Sequence, residues 1–394
     1  MVFSVDRNSH VLPDGQDVPP KFTNWPALRD SPATLLVTYS DRHNDHTMSD
    51  TPSNSDWKSW LRDRWHGGDL APVISLLVLL AIFTVLVGPR DFLTLGTASL
   101  VLEQGAVLAI VSVGLTFVLL TGEIDLAVGR IALLSACVCG VLFQLLFVVK
   151  GGDDPELRSI SLLIVLAAPF LIALLVGWLS GVLTVTSRLP SFIITLAMMF
   201  VCQGMAKYLT KSKQFQLPSL LKSLGNDSLF VGDLSIPYSA LLAVAVMLAG
   251  HVVLQYTRFG RYVYMTGGNR EAARLAGVRT PLIVVACLVI SGWTAALGGL
   301  VNAGRMGSIT LDQNADLLLE AVACVVLGGT SLFGGEGSMP RTLIGVLTFT
   351  VLNVGLMLAK IDWIPDFDFL RDFVKGVVLL IALFINGRIA RGRG

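Results

Sequence analysis

The sequence predicts an all-α polytopic membrane protein with about ten transmembrane helices. Of its 394 residues, 53% are hydrophobic and 14% are charged, whereas about 25% are charged in an average soluble domain. Apolar runs of about 20 residues recur along the chain, and each is long enough to span a bilayer as a helix. The net charge of +1 supplies no basic surface for nucleic acid, so a nucleic-acid partner is not expected.

The start of the chain has a different composition. Residues 1–55 are rich in Pro, Ser, Asn and Asp and show no helical or strand period, which predicts a disordered tail. Met48 is a candidate natural start, in which case residues 1–47 would be an upstream translation. A native disordered tail is the alternative.

A short amphipathic segment follows at 56–66. On a helix, Trp57, Trp60 and Trp65 would share one face, with basic residues among the rest. This pattern predicts an interfacial helix lying on the cytoplasmic leaflet. A polar linker is the alternative.

The region 70–390 is the predicted transmembrane domain. We expect ten spans, at 71–88, 97–120, 127–149, 160–186, 191–208, 238–257, 281–303, 316–332, 342–360 and 371–387. An even number of spans places both termini on one side, together with the arginine-rich connection 258–280 and the arginines of the C-terminal end. The positive-inside rule makes that side the cytoplasm.

Two glycine-marked breaks interrupt the predicted spans, one at 122–129 and one at 328–337. At membrane depth, non-helical backbone persists only where protein or a water-filled cavity satisfies its polar groups. Broken helices therefore indicate a transport pathway.

The sequence lacks the motifs of several enzyme classes. It contains no GxxxxGK[ST] phosphate loop, no HExxH pair and no GxSxG elbow, so neither catalytic residues nor a metal site are predicted. Its five cysteines all lie in apolar stretches and are interpreted as small buried hydrophobic residues. No cofactor is expected, and a reaction that consumes ATP would need a partner subunit to bind it.

The connection 258–280 contains a predicted short helix, 270–276. Asn269 suits its N-cap, Glu271 lies in the first turn and Gly277 suits the C-terminal cap. Small side chains around one apolar residue fit a groove on another protein, although an ordinary surface helix has the same pattern. The predicted docking residues are Asn269, Glu271, Ala272, Ala273, Arg274, Leu275 and Gly277.

Polar side chains inside or beside the spans are candidates for a translocation path, because such groups are costly in a membrane. The candidates are Gln104, Glu123, Asp125, Glu320 and Asn353. For Glu123 and Asp125 the alternative is a solvated loop. For Asn353, as for Asn302, the alternative is a hydrogen bond between helices.

Several segments together resemble the permease subunits of bacterial monosaccharide ABC importers, of the ribose and xylose type, within a wider group that includes branched-chain amino-acid permeases. The resemblance covers about 70–390. It rests on the segments GEIDLAVG (122–129), PSFIITL (190–196), FGR (259–261), GGN (267–269), EAARLAGV (271–278) and LGGTSLFGGEGS (327–338). The sequence departs from the family pattern at Ala127 and Arg130, and Glu123 favours the xylose-like pattern over the ribose-like one.

The resemblance implies a type II ABC importer permease in the bacterial inner membrane. Its implied partners are a second permease copy, a cytoplasmic ABC ATPase and a periplasmic sugar-binding protein. The helix 270–276 would be the coupling helix seated in the ATPase, which binds the ATP. The same machinery acting on another small solute is an alternative. A further alternative is a secondary transporter whose ion sites are Glu103, Asp125 and Glu320.

Overall fold

A computed structural model describes residues 71–149, 155–232, 234–311, 313–359 and 370–381. The predicted tail, the segment 56–66 and the C-terminal arginines lie outside this part of the chain. The helices are α1 Ala71–Val87, α2 Pro89–Phe92, α3 Leu95–Leu120, α4 Val128–Phe143, α5 Pro155–Ser187, α6 Ser191–Thr210, α7 Ser219–Asn226, α8 Tyr238–Tyr256, α9 Arg258–Gly268, α10 Arg270–Leu275, α11 Thr280–Met306, α12 Leu317–Leu327 and α13 Met339–Leu358. A π-helix, Gln144–Val149, continues α4, and residues 370–381 are helical.

Each predicted span overlaps a helix, although the eighth is helical only in part and residues 382–387 of the tenth lie outside the described part of the chain. Among the described residues, seven helices are long and apolar enough to cross a membrane: α3, α4 with the start of its π-helical extension, α5, α6, α8, α11 and α13. Helices α1 and α12 are apolar but shorter. The prediction of a polytopic helical membrane protein is confirmed. The count of ten stays a prediction.

Four short strands lie at one end of the helices, which we call the strand end. Strand β1 (Phe215–Gln216) pairs antiparallel with β4 (Ser308–Ile309), and β2 (Ser228–Val231) forms a hairpin with β3 (Leu234–Pro237). In the first pair Phe215 lies opposite Ile309. Strands β1, β2 and β3 lie in the long connection between α6 and α8. Ser99 Oγ links the hairpin to α3 by donating a hydrogen bond to Ser235 O at 2.6 Å.

Helix α3 lies at the centre of the fold. All of its residues from Gly105 to Leu120 are buried, as expected for a helix that is apolar on every face and surrounded by others. It packs against α8, α11, α12 and α13, and α11 packs in turn against α4 and α5.

Glycines allow these close helix contacts. A side chain at Gly299 of α11 would overlap the backbone of Ala132 in α4, and one at Gly345 of α13 would overlap the carbonyl of Cys324 in α12. Small residues permit such approach where lipid supplies no hydrophobic drive for helix association.

The eighth predicted span, 316–332, is helical only over α12, Leu317–Leu327, and its end is irregular. The backbone that leads into α12 is irregular as well. We call residues 310–311 and 313–316 the descending segment. Before it, the Ile309 side chain packs against Gly140 of α4, and within it the Asn314 carbonyl packs against Gly129. These two glycines are separated by about 16 Å along a helix at 1.5 Å per residue. The descending segment therefore runs into the helical bundle before α12 begins at Leu317.

Candidate functional site

The break between α3 and α4 holds a buried carboxylate. Asp125 is 2% exposed; its Oδ1 accepts from the Ala127 backbone N–H at 3.0 Å and its Oδ2 from Ser291 Oγ of α11 at 2.7 Å. Burial raises the pKa of Asp125, while the two hydrogen bonds act in the opposite direction. The solvated loop considered for this residue is therefore wrong.

Hydroxyl groups of α6 satisfy the backbone of the same break. The Ile124 N–H donates to Ser191 Oγ at 2.9 Å and the Leu126 N–H donates to Thr195 Oγ1 at 3.1 Å. Buried backbone groups need such partners when they leave a helix. The break is thus fixed to α6 and, through Asp125, to α11.

Glu123 connects the break to the segment that contains α10. Its Oε1 accepts from Arg270 Nη2 at 2.5 Å, and the same nitrogen lies 3.4 Å from Thr121 O. The Glu123 side chain is 9% exposed and that of Arg270 is 43% exposed. A solvated-loop position is therefore wrong for Glu123 as well, because this carboxylate is buried and paired.

Helix α10 forms where the sequence predicts it. The Asn269 side chain accepts from the Ala272 N–H at 2.9 Å, which confirms the N-cap. Gly277 has φ 83°, the left-handed conformation typical of a C-terminal cap. Ala273 is buried, whereas Leu275 is 84% exposed. The helix thus presents a large apolar side chain away from its own protein.

The end of the bundle that carries α10 is assembled from three separate segments. The Gly335 N–H donates to Leu120 O at 2.9 Å, and Tyr264 Oη donates to Gly337 O at 2.8 Å. Gly267 of α9 packs directly on the Leu120 carbonyl and the Gly335 nitrogen. Both glycine-marked breaks therefore meet α9 and α10 at this end, which we call the α10 end.

Three of the five predicted path residues line one polar cavity, the central cavity, of about 340 Å³. They are Gln104 of α3, Glu320 of α12 and Asn353 of α13. The other two, Glu123 and Asp125, lie in the break and do not line it. The remaining lining residues are Val107, Leu108, Asn302, Arg305, Met306, Gln313, Asn314, Ala315, Asp316 and Leu317.

Two residues that line the central cavity carry buried amide atoms without a hydrogen-bond partner in the described part of the chain. Both amide atoms of buried Gln313 and the Nδ2 of buried Asn314 have no partner among the described residues. Asn314 Oδ1 accepts from Asn302 Nδ2 at 2.7 Å. Glu320, in contrast, accepts from Lys375 Nζ at 2.7 Å. Amide side chains in the lining of a cavity suit a ligand with hydroxyl groups.

The sequence did not single out four polar residues of this cavity: Arg305, Gln313, Asn314 and Asp316. Arg305 lies in the last turn of α11, and the other three lie in the descending segment. Arg305, Gln313 and Asn314 fall in the predicted connection between spans, and Asp316 begins the eighth predicted span. A signal exists in the sequence, since the run Gln313-Asn-Ala-Asp316 places three polar residues where the eighth span begins. Polar residues inside a span are functional candidates.

A bundle of membrane helices with broken spans around a polar cavity defines a multi-pass membrane permease. The chain belongs to the family described as branched-chain amino acid transport system / permease component, whose model matches residues 97–383. Members of this family are transport components of importers rather than enzymes.

Curated relatives include import permeases of three kinds. The ribose import permease protein of Escherichia coli K12 is 32% identical over 336 residues, which are 84% of this chain and 95% of that protein. The autoinducer 2 import system permease protein of Photorhabdus luminescens is 32% identical over 324 residues, 82% and 90% of the two chains. The fructose import permease protein of Rhizobium meliloti is 32% identical over 320 residues, 80% and 84%. No solved structure matches the chain.

Proposed function

We propose that the chain is the permease subunit of an ATP-binding-cassette importer that moves a monosaccharide across the bacterial inner membrane, in an orientation that leaves both termini in the cytoplasm. Relatives named for ribose, fructose and autoinducer 2 import support this class of substrate. The central cavity supports it too, because amide side chains such as Gln104 and Asn353 line it and suit the hydroxyl groups of a sugar. Its volume of about 340 Å³ falls within the range of small-ligand sites.

The observation that carries the proposal is the connection between α10 and the break. Leu275 is 84% exposed at the α10 end, where a cytoplasmic ATPase would bind it. Arg270, which begins α10, is paired with Glu123 in the break. A displacement of α10 by the ATPase would therefore reach α6 and α11, which hold the break through Ser191, Thr195 and Ser291.

Further partners follow from this scheme. A periplasmic sugar-binding protein would deliver the solute at the strand end, and a second permease copy would complete the translocation path. In that arrangement the permease needs few polar groups, because the binding protein supplies the affinity. Gln104, Glu320 and Asn353 would contact the solute transiently, whereas Glu123 and Asp125 would serve the coupling movement.

An ion-coupled secondary transporter is less well supported. Its candidate acids do not converge: Glu320 is paired with Lys375, and Asp125 is hydrogen-bonded to Ser291 in the break. An exposed Leu275 on a capped helix would also have no role without a docking partner.

Co-purification tests the proposal. The chain, co-expressed with its chromosomal neighbours and extracted in mild detergent, should retain a stoichiometric P-loop ATPase. Leu275→Asp should release that ATPase and abolish ATP-driven uptake while the level of permease in the membrane is unchanged. Leu332→Asp is the matched control, since Leu332 is another exposed leucine at the α10 end, in the second break and outside α10. ATPase retention by Leu275→Asp, or solute uptake by the permease alone under an ion gradient, would contradict the proposal.

A further inference from the structure

A second polar cavity, the basic cavity, lies on the other side of the descending segment. Its volume is about 430 Å³, and Ala315 lines both it and the central cavity. Three cationic side chains line the basic cavity: Arg130 of α4, Lys207 of α6 and Lys213 of the connection after α6. The amides of Gln203 and Gln214 lie between them in the lining.

Arg130 lies inside the helical bundle. It directly follows Gly129, which packs on the Asn314 carbonyl, and Ala132, two residues further on, packs on Gly299 of α11. An ionisable side chain at such a depth is costly unless it has a charged partner or a function. Arg130 is half-buried, and its side chain makes no hydrogen bond or ion pair with another described residue.

The charged side chains that line the cavity within the described part of the chain are all cationic. No carboxylate lines it among the described residues, and Asp312, which is adjacent in sequence to Leu311 of the lining, lies outside them. Arg130 is half-buried, whereas Lys207 and Lys213 are exposed, so solvent screens part of their charge. Clustered cations raise the local concentration of anions. A guanidinium group also binds a carboxylate with two parallel hydrogen bonds.

Building on the proposed function, we propose that the transported solute is an acidic monosaccharide, a sugar acid whose carboxylate Arg130 binds in the basic cavity with support from Lys207 and Lys213. The amides of Gln203 and Gln214 would bind its hydroxyl groups. A neutral sugar leaves the three cations without a counter-charge. An amino acid is a poorer fit, because its ammonium group needs an acceptor that the described lining does not supply as a carboxylate.

The electrostatic part can be tested without knowing the solute. Ser212, which also lines the cavity, is replaced by cysteine, and the five native cysteines are buried. The rates of reaction with an anionic and a cationic methanethiosulfonate reagent are compared, each normalised to a free thiol. We expect the anionic reagent to react faster. Arg130→Gln should lower the ratio of the anionic to the cationic rate about tenfold, which is the effect of removing one charge about 10 Å away at an effective dielectric constant of about 40. Lys222→Gln, outside the cavity, should leave the ratio unchanged. A ratio unaffected by Arg130→Gln overturns the proposal.

The substrate part is tested by ATP-driven uptake into proteoliposomes that contain the complete importer. The probes are galacturonate and gluconate, their neutral parents galactose and glucose, and ribose, fructose and leucine. We expect uptake of a sugar acid that Arg130→Gln lowers at least tenfold and Arg130→Lys preserves. If a neutral probe is taken up and Arg130→Gln leaves that uptake intact, this proposal is overturned and the proposed function stands. The same holds if neither acid is taken up while the ATPase stays bound.

Two further outcomes separate the remaining explanations. Equal loss of folded protein in Arg130→Gln and Asp312→Asn would assign Arg130 to a structural ion pair and overturn its role in binding. Failure to retain an ATPase, with no ATP-driven uptake of any probe, would refute the proposed function itself.

Discussion

The ion pair between Glu123 and Arg270 should be required for coupling the ATPase to transport. The two groups are 2.5 Å apart, and the carboxylate is 9% exposed. A hydrogen bond to a charged group contributes about 1.5–3 kcal/mol. Because Arg270 is 43% exposed and partly screened, we take about 2 kcal/mol, which corresponds to about a 30-fold change in an equilibrium constant.

The perturbation is Arg270→Gln, which leaves the carboxylate buried without its cationic partner. We expect ATP-driven uptake in proteoliposomes to fall by about 30-fold if this pair holds α10 to the break. Arg270→Glu should be more harmful, because it places two carboxylates together. Combining Arg270→Glu with Glu123→Arg should recover part of the activity, since the opposite charges are restored.

The matched control is Arg279→Gln, which removes the same charge from the same connection. Arg279 is exposed, and no ion pair of its side chain is found among the described residues, so uptake should stay near the wild-type rate. ATPase binding is measured in parallel to separate docking from transmission. Wild-type uptake by Arg270→Gln would refute the coupling role. So would an equal loss in both variants, because that would trace the effect to the general charge of the loop.

Two further predictions concern stability in detergent. Gly267→Ala should lower the melting temperature, because the new methyl group overlaps the Leu120 carbonyl and the Gly335 nitrogen, and overpacking costs about 1–3 kcal/mol; Gly268→Ala, with nothing within 4 Å of the added carbon, is the control, and equal melting temperatures would show that the packing yields. For Asp125, burial raises the pKa in the folded state. The folded protein therefore binds more protons than the unfolded chain between the ordinary carboxyl pKa and the raised one, and stability falls as pH rises through that window. Asp125→Asn should flatten that part of the melting profile, and an unchanged profile would exclude Asp125 as its source.

The main features of the fold were accessible from sequence because they depend on local chemistry. Span positions follow from the hydropathy of neighbouring residues, and each predicted span overlaps a helix among the described residues. The N-cap at Asn269 and the C-terminal cap at Gly277 were predicted from residue type within a few positions and are confirmed. The two glycine-marked breaks are irregular in the structure, as expected.

The length of α12 was not predicted well, because hydropathy does not distinguish a helix from irregular backbone that the protein itself satisfies. The descending segment is the main case. Its polar residues belong to a predicted connection and to the first part of the eighth span, and the amides of Gln313 and Asn314 line a cavity instead of a solvated loop. Their placement depends on α4, which precedes them by more than 160 residues.

The sequence by itself determined a helical membrane protein with two broken spans and a capped short helix between them, because periodicity and capping act over a few residues. Only the tertiary structure decided which polar groups meet. Glu123 and Arg270 are 147 residues apart in sequence, and Arg130 and Lys213 come together in one cavity from different elements. A single sequence carries no signal for such pairings, since they arise only when helices pack.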